Sequence, residues 1–260
     1  WWTEGGGGNP WDSIIYDPEL RLVYVGTGNG SPWSHEHRSD GFGDNLYLSS
    51  IVALNVDDGS VVWHYQTTPG DNFDYTAVQP MMVTEIAING LPRKVVMQAP
   101  KNGFFYVLDA ETGDLIYADP YAEVTWATGI DLESGRPNET PQARYDNAVT
   151  FLTPGPSGAH NWHPMSFSPE TGLLYVPTMQ GGAFPFSVDA DYEYEPDGWN
   201  IGVSLGTLTD LAVRPDDQYA GGTGPIYDSP GVLVAWDPVA RAPRWTREYD
   251  FTLNGGTLAT

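Results

Sequence analysis

Short apolar runs bounded by turn residues dominate the pattern of hydrophobic and polar positions along the chain. Examples are RLVYV, SIVAL, GFFYVL, GLLYV and GVLVAW. Runs of this length between Gly, Pro, Asn and Asp residues are typical of β-strands, and long helical patterns are scarce. The 30 glycines and 22 prolines fit frequent turns. The pattern therefore predicts an all-β fold.

One pattern recurs three times along the chain. It has a small residue, Asn or Asp two positions later, a turn, and an aromatic residue ten positions after the start. The copies are Ala53–Trp63, Val107–Tyr117 and Ala235–Trp245. Each copy predicts a strand, a tight turn and a second strand, with Gly59 and Gly113 supplying positive φ in the turn.

A second pattern, a Pro-Glu turn before an apolar strand, occurs from Tyr16 and again from Phe167. Repeats of roughly 40–50 residues with several short strands are typical of propeller blades. We expect about four blades of four-stranded antiparallel sheet, in one domain over residues 1–260. Two polar stretches, Glu123–Pro156 and Asp189–Tyr227, are interpreted as insertions. The ends of the sequence are interpreted as those of an internal piece of a longer protein.

The chain is strongly acidic, with 34 acidic and 11 basic residues and a formal net charge of −23. Such a surface repels phosphate groups, which argues against nucleic acid and anionic membranes as partners. The chain has no cysteine, so a disulfide, a thiolate metal site and a thiol nucleophile are excluded. No apolar run is long enough to span a bilayer.

In a propeller, functional groups collect where the loops of successive blades converge. Asn29, in GTGNGSPW, directly follows an apolar run and offers an amide oxygen suited to a hard cation. Its alternative is a glycine-rich turn. Asp74, between Phe73 and Tyr75, is a candidate general base or metal ligand, whereas Asp71 is expected to cap the turn.

Three further stretches offer polar or aromatic groups at strand ends. Lys101 precedes an apolar strand, where it could bind a ligand oxygen, pair with Asp74 or lie in solvent. His160 and His163 suggest zinc by spacing, but no third ligand with matching spacing accompanies them. Trp11 follows a glycine run and is either a core residue or a platform for a planar ligand.

Together these stretches resemble the pyrroloquinoline quinone (PQQ)-dependent alcohol dehydrogenases, whose domain is an eight-bladed β-propeller. The resemblance covers most of the chain apart from the two insertions. It rests on WDSIIYDPEL, VYVGTGNGSPW, the stretch from GDNLYLSS through TTPGDNFDYT, PRKVVMQAPKNGFFYVLDAETG, GAHNWHPMSFSPETGLLYVP, LVAWDP and NGGTLAT.

The resemblance implies oxidation of a primary alcohol to an aldehyde, with PQQ and Ca²⁺ as cofactors. It implies a role for each matching residue: Asp74 as general base and Ca²⁺ ligand, Asn29 as Ca²⁺ ligand, Trp11 stacked on the PQQ ring, Lys101 bound to the quinone oxygens, and Asn161 and Asn254 as further cofactor contacts. Asp71 would then shape the loop, and Phe73 and Tyr75 would exclude water. It also implies a cytochrome c or similar electron acceptor, a periplasmic location and, in the quinohaemoprotein branch, haem c in a domain outside this chain.

Several positions depart from the family pattern. The family's glutamate ligand and vicinal disulfide would lie before Trp1, and Asn9-Pro10 replaces a Thr and a small residue at a cofactor contact. Lanthanide-using relatives carry an Asp two positions after the catalytic one, so Thr76 favours calcium. We therefore expect these 260 residues alone to hold an incomplete active site.

Two other functions are consistent with parts of the pattern. A non-enzymatic propeller scaffold would share the blade repeats, but would not need Asn29, Asp74 and Lys101 together at loop ends. A glycosidase would use Asp71 and Asp74 as its carboxylate pair. Residues three apart in one turn rarely face a sugar from opposite sides, which disfavours that mechanism.

Overall fold

The computed structural model describes residues 6–145, 149–180, 183–204, 230–252 and 255–260. In that part of the chain the fold has one short helix, α1 (His35–Ser39). Its strands are β1 (Ile14–Asp17), β2 (Leu22–Gly26), β3 (Ser50–Asn55), β4 (Val61–Gln66), β5 (Met81–Ile88), β6 (Leu91–Gln98), β7 (Phe104–Asp109), β8 (Leu115–Pro120), β9 (Ala127–Ile130), β10 (Pro137–Glu139), β11 (Thr150–Leu152), β12 (Ser166–Ser168), β13 (Leu173–Met179), β14 (Phe184–Phe186), β15 (Gly231–Asp237) and β16 (Ala242–Tyr249).

Three antiparallel four-stranded sheets form the framework. Their strand orders are β1-β2-β3-β4, β5-β6-β7-β8 and β12-β13-β15-β16. The predicted all-β architecture of four-stranded sheets is thus confirmed. Within the described ranges the sheets number three where about four blades were expected, because the first polar stretch contributes only short strands, β9 to β11. Strand β11 pairs with β14, outside the third sheet.

The repeat read from the sequence corresponds to the outer hairpin of each sheet. Its first and last residues are direct cross-strand partners: Ala53 with Trp63, Val107 with Tyr117, and Ala235 with Trp245. The register shifts immediately after the first residue in all three copies. The predicted unit of strand, turn and strand is confirmed, and it includes the same bulge each time.

Aromatic residues join each sheet to the next. Tyr24 and Trp63 of the first sheet both donate hydrogen bonds to the carbonyl oxygen of Ala110 in the second, at 2.9 and 3.2 Å. At the equivalent position between the second and third sheets, Tyr117 donates to the carbonyl oxygen of Pro238. Apolar side chains from facing sheets fill the space around these bonds. Consecutive sheets therefore pack face to face through a repeated contact.

The ends of β2, β4, β6 and β8 lie at one end of this stack. Within an antiparallel sheet alternate strands run the same way, so β2 and β4 point together, as do β6 and β8. The loops that follow these strands carry the predicted site residues. Among the residues that the structure describes, no helix has the length and apolarity needed to cross a bilayer.

The contact between sheets can be tested at two equivalent glycines. Gly59 and Gly113 both adopt positive φ in hairpin turns, at 72° and 78°. A Cβ on Gly59 would meet nothing within 4 Å, whereas one on Gly113 would lie 2.6 Å from the Trp63 ring. We expect Gly59→Ala to lower the free energy of unfolding by roughly 1–2 kcal/mol from backbone strain. Gly113→Ala should cost about 1–3 kcal/mol more, because it also overpacks the contact.

Equilibrium urea unfolding of both variants measures the difference. Equal losses for the two variants would contradict the proposed role of the Trp63–Gly113 contact.

Candidate cofactor and metal site

Asp74 lies in a tight turn that Asp71 closes. The Asp71 carboxylate accepts hydrogen bonds through Oδ1 from the backbone N–H groups of Phe73 and Tyr75, at 3.2 and 3.0 Å. Asp74, between these two residues, adopts a φ of 67°. The predicted turn-capping role of Asp71 is confirmed, and it holds Asp74 in a backbone conformation that non-glycine residues rarely adopt.

Phe73 and Tyr75 fix this turn to the core. Both side chains are fully buried, their rings stack with centroids 4.8 Å apart, and both pack against Trp126. Tyr75 also donates its hydroxyl hydrogen to the carbonyl oxygen of Pro154. The aromatic pair thus excludes water from the inner side of the turn and leaves Asp74 at its outer surface.

Lys101 pairs with Asp74. Its Nζ donates to the Asp74 carboxylate at 2.9 Å and to the Asp74 carbonyl oxygen at 3.0 Å. The lysine side chain is 7% exposed and the aspartate side chain 18% exposed. Of the alternatives for Lys101, the solvated lysine is therefore wrong and the pairing is confirmed. Burial raises the pKa of Asp74, and the charge and hydrogen bond of Lys101 oppose that rise.

The loop that carries Asn29 is joined to the Asp74 turn by Ser49. The Ser49 N–H donates to the carbonyl oxygen of Gly28 at 2.8 Å, and its hydroxyl donates to the carbonyl oxygen of Tyr75. Gly28 precedes Asn29, and Tyr75 follows Asp74. The two predicted ligand residues are therefore each one residue from a group bound to the same serine.

Trp11 lies beside the same loop. Its Nε1 is 3.6 Å from the position that a Cβ on Gly28 would occupy. The side chain is 49% exposed, so the alternative of a core tryptophan is wrong. A half-exposed indole next to Asn29 can serve as a flat surface for a planar ligand.

His160 is not available to a metal. It is fully buried, and its two ring nitrogens lie 2.6 Å and 2.8 Å from the carbonyl oxygens of Ala99 and His163. Within the described parts of the chain, no group of three or more His, Cys, Asp or Glu side chains could hold a metal ion. The histidine pair therefore has a structural explanation, and the zinc alternative has no support.

Comparison with known proteins gives matches over the whole chain. A family model described as "PQQ: Glucose/ethanol/alcohol dehydrogenase, beta-propeller domain" matches residues 1–125. Quinohemoprotein alcohol dehydrogenase ADH IIB of Pseudomonas putida is 49% identical over 265 aligned positions, which cover 100% of this chain and 36% of that protein. The chain belongs to the PQQ-dependent alcohol dehydrogenase family. The resemblance predicted from the sequence is confirmed.

Two further relatives agree with this assignment. The solved structure of quinohemoprotein alcohol dehydrogenase ADHIIG from Pseudomonas putida HK5 superimposes with a TM-score of 0.87 at 42% identity, and covers 98% of this chain and 37% of that one. A 1-butanol dehydrogenase (cytochrome c) of Thauera butanivorans is 43% identical over 239 residues, which cover 88% of this chain and 32% of that protein. The chain thus spans about a third of the length of these relatives.

The side-chain oxygens of this PQQ-family site fit a hard cation. The Asn29 amide donates through Nδ2 to the carbonyl oxygen of Gly30 at 2.9 Å, and its Oδ1 accepts no hydrogen bond from any described residue. Asp74 uses Oδ2 for Lys101, and its Oδ1 likewise accepts none from the described part of the chain. Uncommitted amide and carboxylate oxygens on adjoining loops are the donors that Ca²⁺ prefers.

The loop of Asn161 reaches the site, but its side chain is committed locally. The backbone N–H of Ala159 donates to the carbonyl oxygen of Lys101 at 3.0 Å. The Asn161 amide donates to the carbonyl oxygen of Ser157 and accepts from the N–H of Trp162. Its predicted contact to the cofactor stays a prediction. Asn254, the other predicted contact, lies outside the residues that the structure describes.

Sequence reasoning missed two residues that connect the site loops, Ser49 and Arg38. Ser49 begins the segment that leads into β3, where its hydroxyl looks like an ordinary strand-end group. Arg38 lies in the short helix between β2 and β3, and its guanidinium contacts the Asp71 backbone. The available signal was the scarcity of basic residues, 11 in the whole chain, which makes one close to GTGNG worth examining.

The two lysines of the chain provide a matched test of the ion pair. Lys101 favours the ionised form of Asp74, so we expect Lys101→Met to raise the pKa of Asp74 further. Lys94 pairs with Asp17 and Glu19 elsewhere, so Lys94→Met should leave the pKa of Asp74 unchanged. Carboxyl ¹³C shifts of labelled aspartate, followed against pH, measure both. An Asp74 titration that is insensitive to Lys101→Met would show that the pair does not control this carboxylate.

Proposed function

We propose that this chain is part of a PQQ- and calcium-dependent enzyme that oxidises a primary alcohol to an aldehyde. The observation that carries the proposal is the buried Asp74–Lys101 pair, held in a strained turn beside the Asn29 loop. A buried ion pair is a weak source of stability, so its presence at a loop end favours a chemical role.

Asp74 is the general base. Its raised pKa brings it closer to the range in which a carboxylate removes a proton efficiently, while Lys101 keeps it ionised near neutral pH. The carboxylate takes the hydroxyl proton of the alcohol. When bound, PQQ accepts the hydride, and Ca²⁺ polarises the quinone carbonyl as a Lewis acid. Lys101 would hold the quinone oxygens by hydrogen bonds, and Trp11 would support the ring.

Asn29 and Asp74 would supply Ca²⁺ ligands from this chain. Thr76 favours calcium over a lanthanide, because it replaces the extra aspartate of lanthanide-using relatives. Its hydroxyl is buried and accepts a hydrogen bond from Gln79 at 2.7 Å, so it is satisfied without a metal.

We also propose a cytochrome c or similar protein as electron acceptor and a periplasmic location. The printed name of the Thauera butanivorans relative includes cytochrome c, and the names of the Pseudomonas putida relatives include quinohemoprotein. Haem c would then reside in a part of the protein outside these residues.

The two alternative functions are less well supported. Asp71 is fully buried and its Oδ1 caps the turn, so it cannot face a sugar as a glycosidase carboxylate must. A scaffold would gain little from a buried lysine and a strained aspartate, because apolar residues would fill the same space at no electrostatic cost.

The base can be tested by Asp74→Asn in the whole protein. We expect PQQ-dependent oxidation of a primary alcohol to fall by about 10²–10⁴-fold, because the amide cannot accept the proton. Bound PQQ, measured by its absorbance, should be retained. Asp58→Asn, at an exposed hairpin turn, is the matched control and should keep full activity. Full activity of Asp74→Asn would refute the assignment of the base.

The metal ligand can be tested by Asn29→Ala in the whole protein. Loss of one ligand oxygen should raise the calcium concentration that restores activity after chelation by about tenfold or more. Asn138→Ala is the control, because that residue is exposed and remote from the site loops. If both variants need the same calcium concentration as the wild type, Asn29 is not a ligand.

A further inference from the structure

Arg38 connects the two loops that carry the proposed metal ligands. Its guanidinium donates from Nη1 to the carbonyl oxygens of Pro32 and Trp33, at 2.7 and 2.9 Å. From Nη2 it donates to the carbonyl oxygen of Asp71, at 2.5 Å, and from Nε to the Asn45 side chain, at 2.8 Å. One side chain therefore binds both the segment that follows Asn29 and the turn that presents Asp74.

The guanidinium also lies directly against Gly30, the residue after Asn29. A Cβ on Gly30 would be 2.6–2.7 Å from three guanidinium atoms, which is closer than a side chain can approach. Glycine at this position thus allows the arginine to press on the backbone of the Asn29 loop. The carbonyl oxygen of Gly30 in turn accepts the hydrogen bond that orients the Asn29 amide.

Asp71 extends the connection to Asp74. The Asp71 backbone binds Arg38, while its Oδ1 holds the N–H groups on both sides of Asp74. Its Oδ2 is buried and accepts no hydrogen bond among the described residues. The positive charge of Arg38 compensates this carboxylate electrostatically. Arg38 and Asp71 therefore form a charged unit behind the site, with neither side chain directed at the proposed ligand.

We propose that Arg38 is a positioning residue that, together with Asp71, fixes the Asn29 oxygen relative to the Asp74 carboxylate. This inference rests on the proposed function, because it assumes that the two oxygens bind one cation. Arginine suits the task, since its planar fork reaches acceptors on separate segments at once, which the single ammonium of lysine cannot do.

The test uses the whole protein and three variants. Arg38→Gln removes the fork and the charge, and Arg38→Lys keeps the charge alone. Arg136→Gln is the matched control, because it removes a 53% exposed arginine that pairs with Asp44. Calcium affinity of the metal-free protein is measured by titration calorimetry in the presence of PQQ. Thermal unfolding, kcat and KM are measured on the same preparations.

We expect Arg38→Gln to bind calcium about tenfold or more weakly, the size of effect seen when groups that orient metal ligands are removed. Its kcat should fall by a similar factor, with the KM for alcohol within about threefold of wild type. Arg38→Lys should remain defective in calcium affinity, and Arg136→Gln should match the wild type.

Wild-type calcium affinity in folded Arg38→Gln, or in Arg38→Lys, would overturn the role of the guanidinium fork. If Arg38→Gln does not fold, Gly30→Ala decides, because it keeps every donor and charge but displaces the guanidinium. Weaker calcium binding by Gly30→Ala would support the inference, and unchanged binding would overturn it. Absence of calcium and PQQ binding by the wild type would instead refute the proposed function, and the inference with it.

Discussion

Face-to-face packing of consecutive four-stranded sheets is the constraint on which the rest of the structure depends. Each sheet buries apolar side chains against its neighbour, and an aromatic hydroxyl or indole N–H of one sheet binds a backbone carbonyl of the next. Because these partners recur at equivalent positions, successive sheets are placed by one repeated contact. The ends of their even-numbered strands are thereby brought to one end of the stack, which makes a site between loops geometrically available.

Charge is used economically at that end of the stack. In a chain with a formal net charge of −23, two of the few cations are placed beside buried carboxylates: Lys101 at Asp74 and Arg38 near Asp71. Burial raises the pKa of Asp71 to about 7, even though Arg38 and two backbone N–H groups favour its ionised form. Desolvation is therefore the largest electrostatic term in this loop, and nearby cations decide how much of it remains.

The same arrangement explains why the site is divided between rigid and exposed parts. Phe73 and Tyr75 secure the Asp74 turn in the aromatic core, and Ser49 joins that turn to the Asn29 loop. Trp11 and the uncommitted oxygens of Asn29 and Asp74 face outward from this support. Since the chain covers about a third of its relatives, further ligands in them would come from beyond these residues.

The sequence by itself determined the hairpins, the turn that Asp71 caps and the family motifs. All of these are local: the partners in each outer hairpin are ten residues apart, and Asp71 bonds to N–H groups two and four residues away. Only the tertiary structure decided that Lys101 pairs with Asp74, that Trp11 is half-exposed, that His160 is satisfied by backbone carbonyls, and that Arg38 contacts both ligand loops. Such contacts join residues 27 to 61 positions apart in the case of Lys101 and His160, and their formation depends on how whole sheets pack. A local pattern of residue types carries no information on that packing, so it left several alternatives open that the fold resolved.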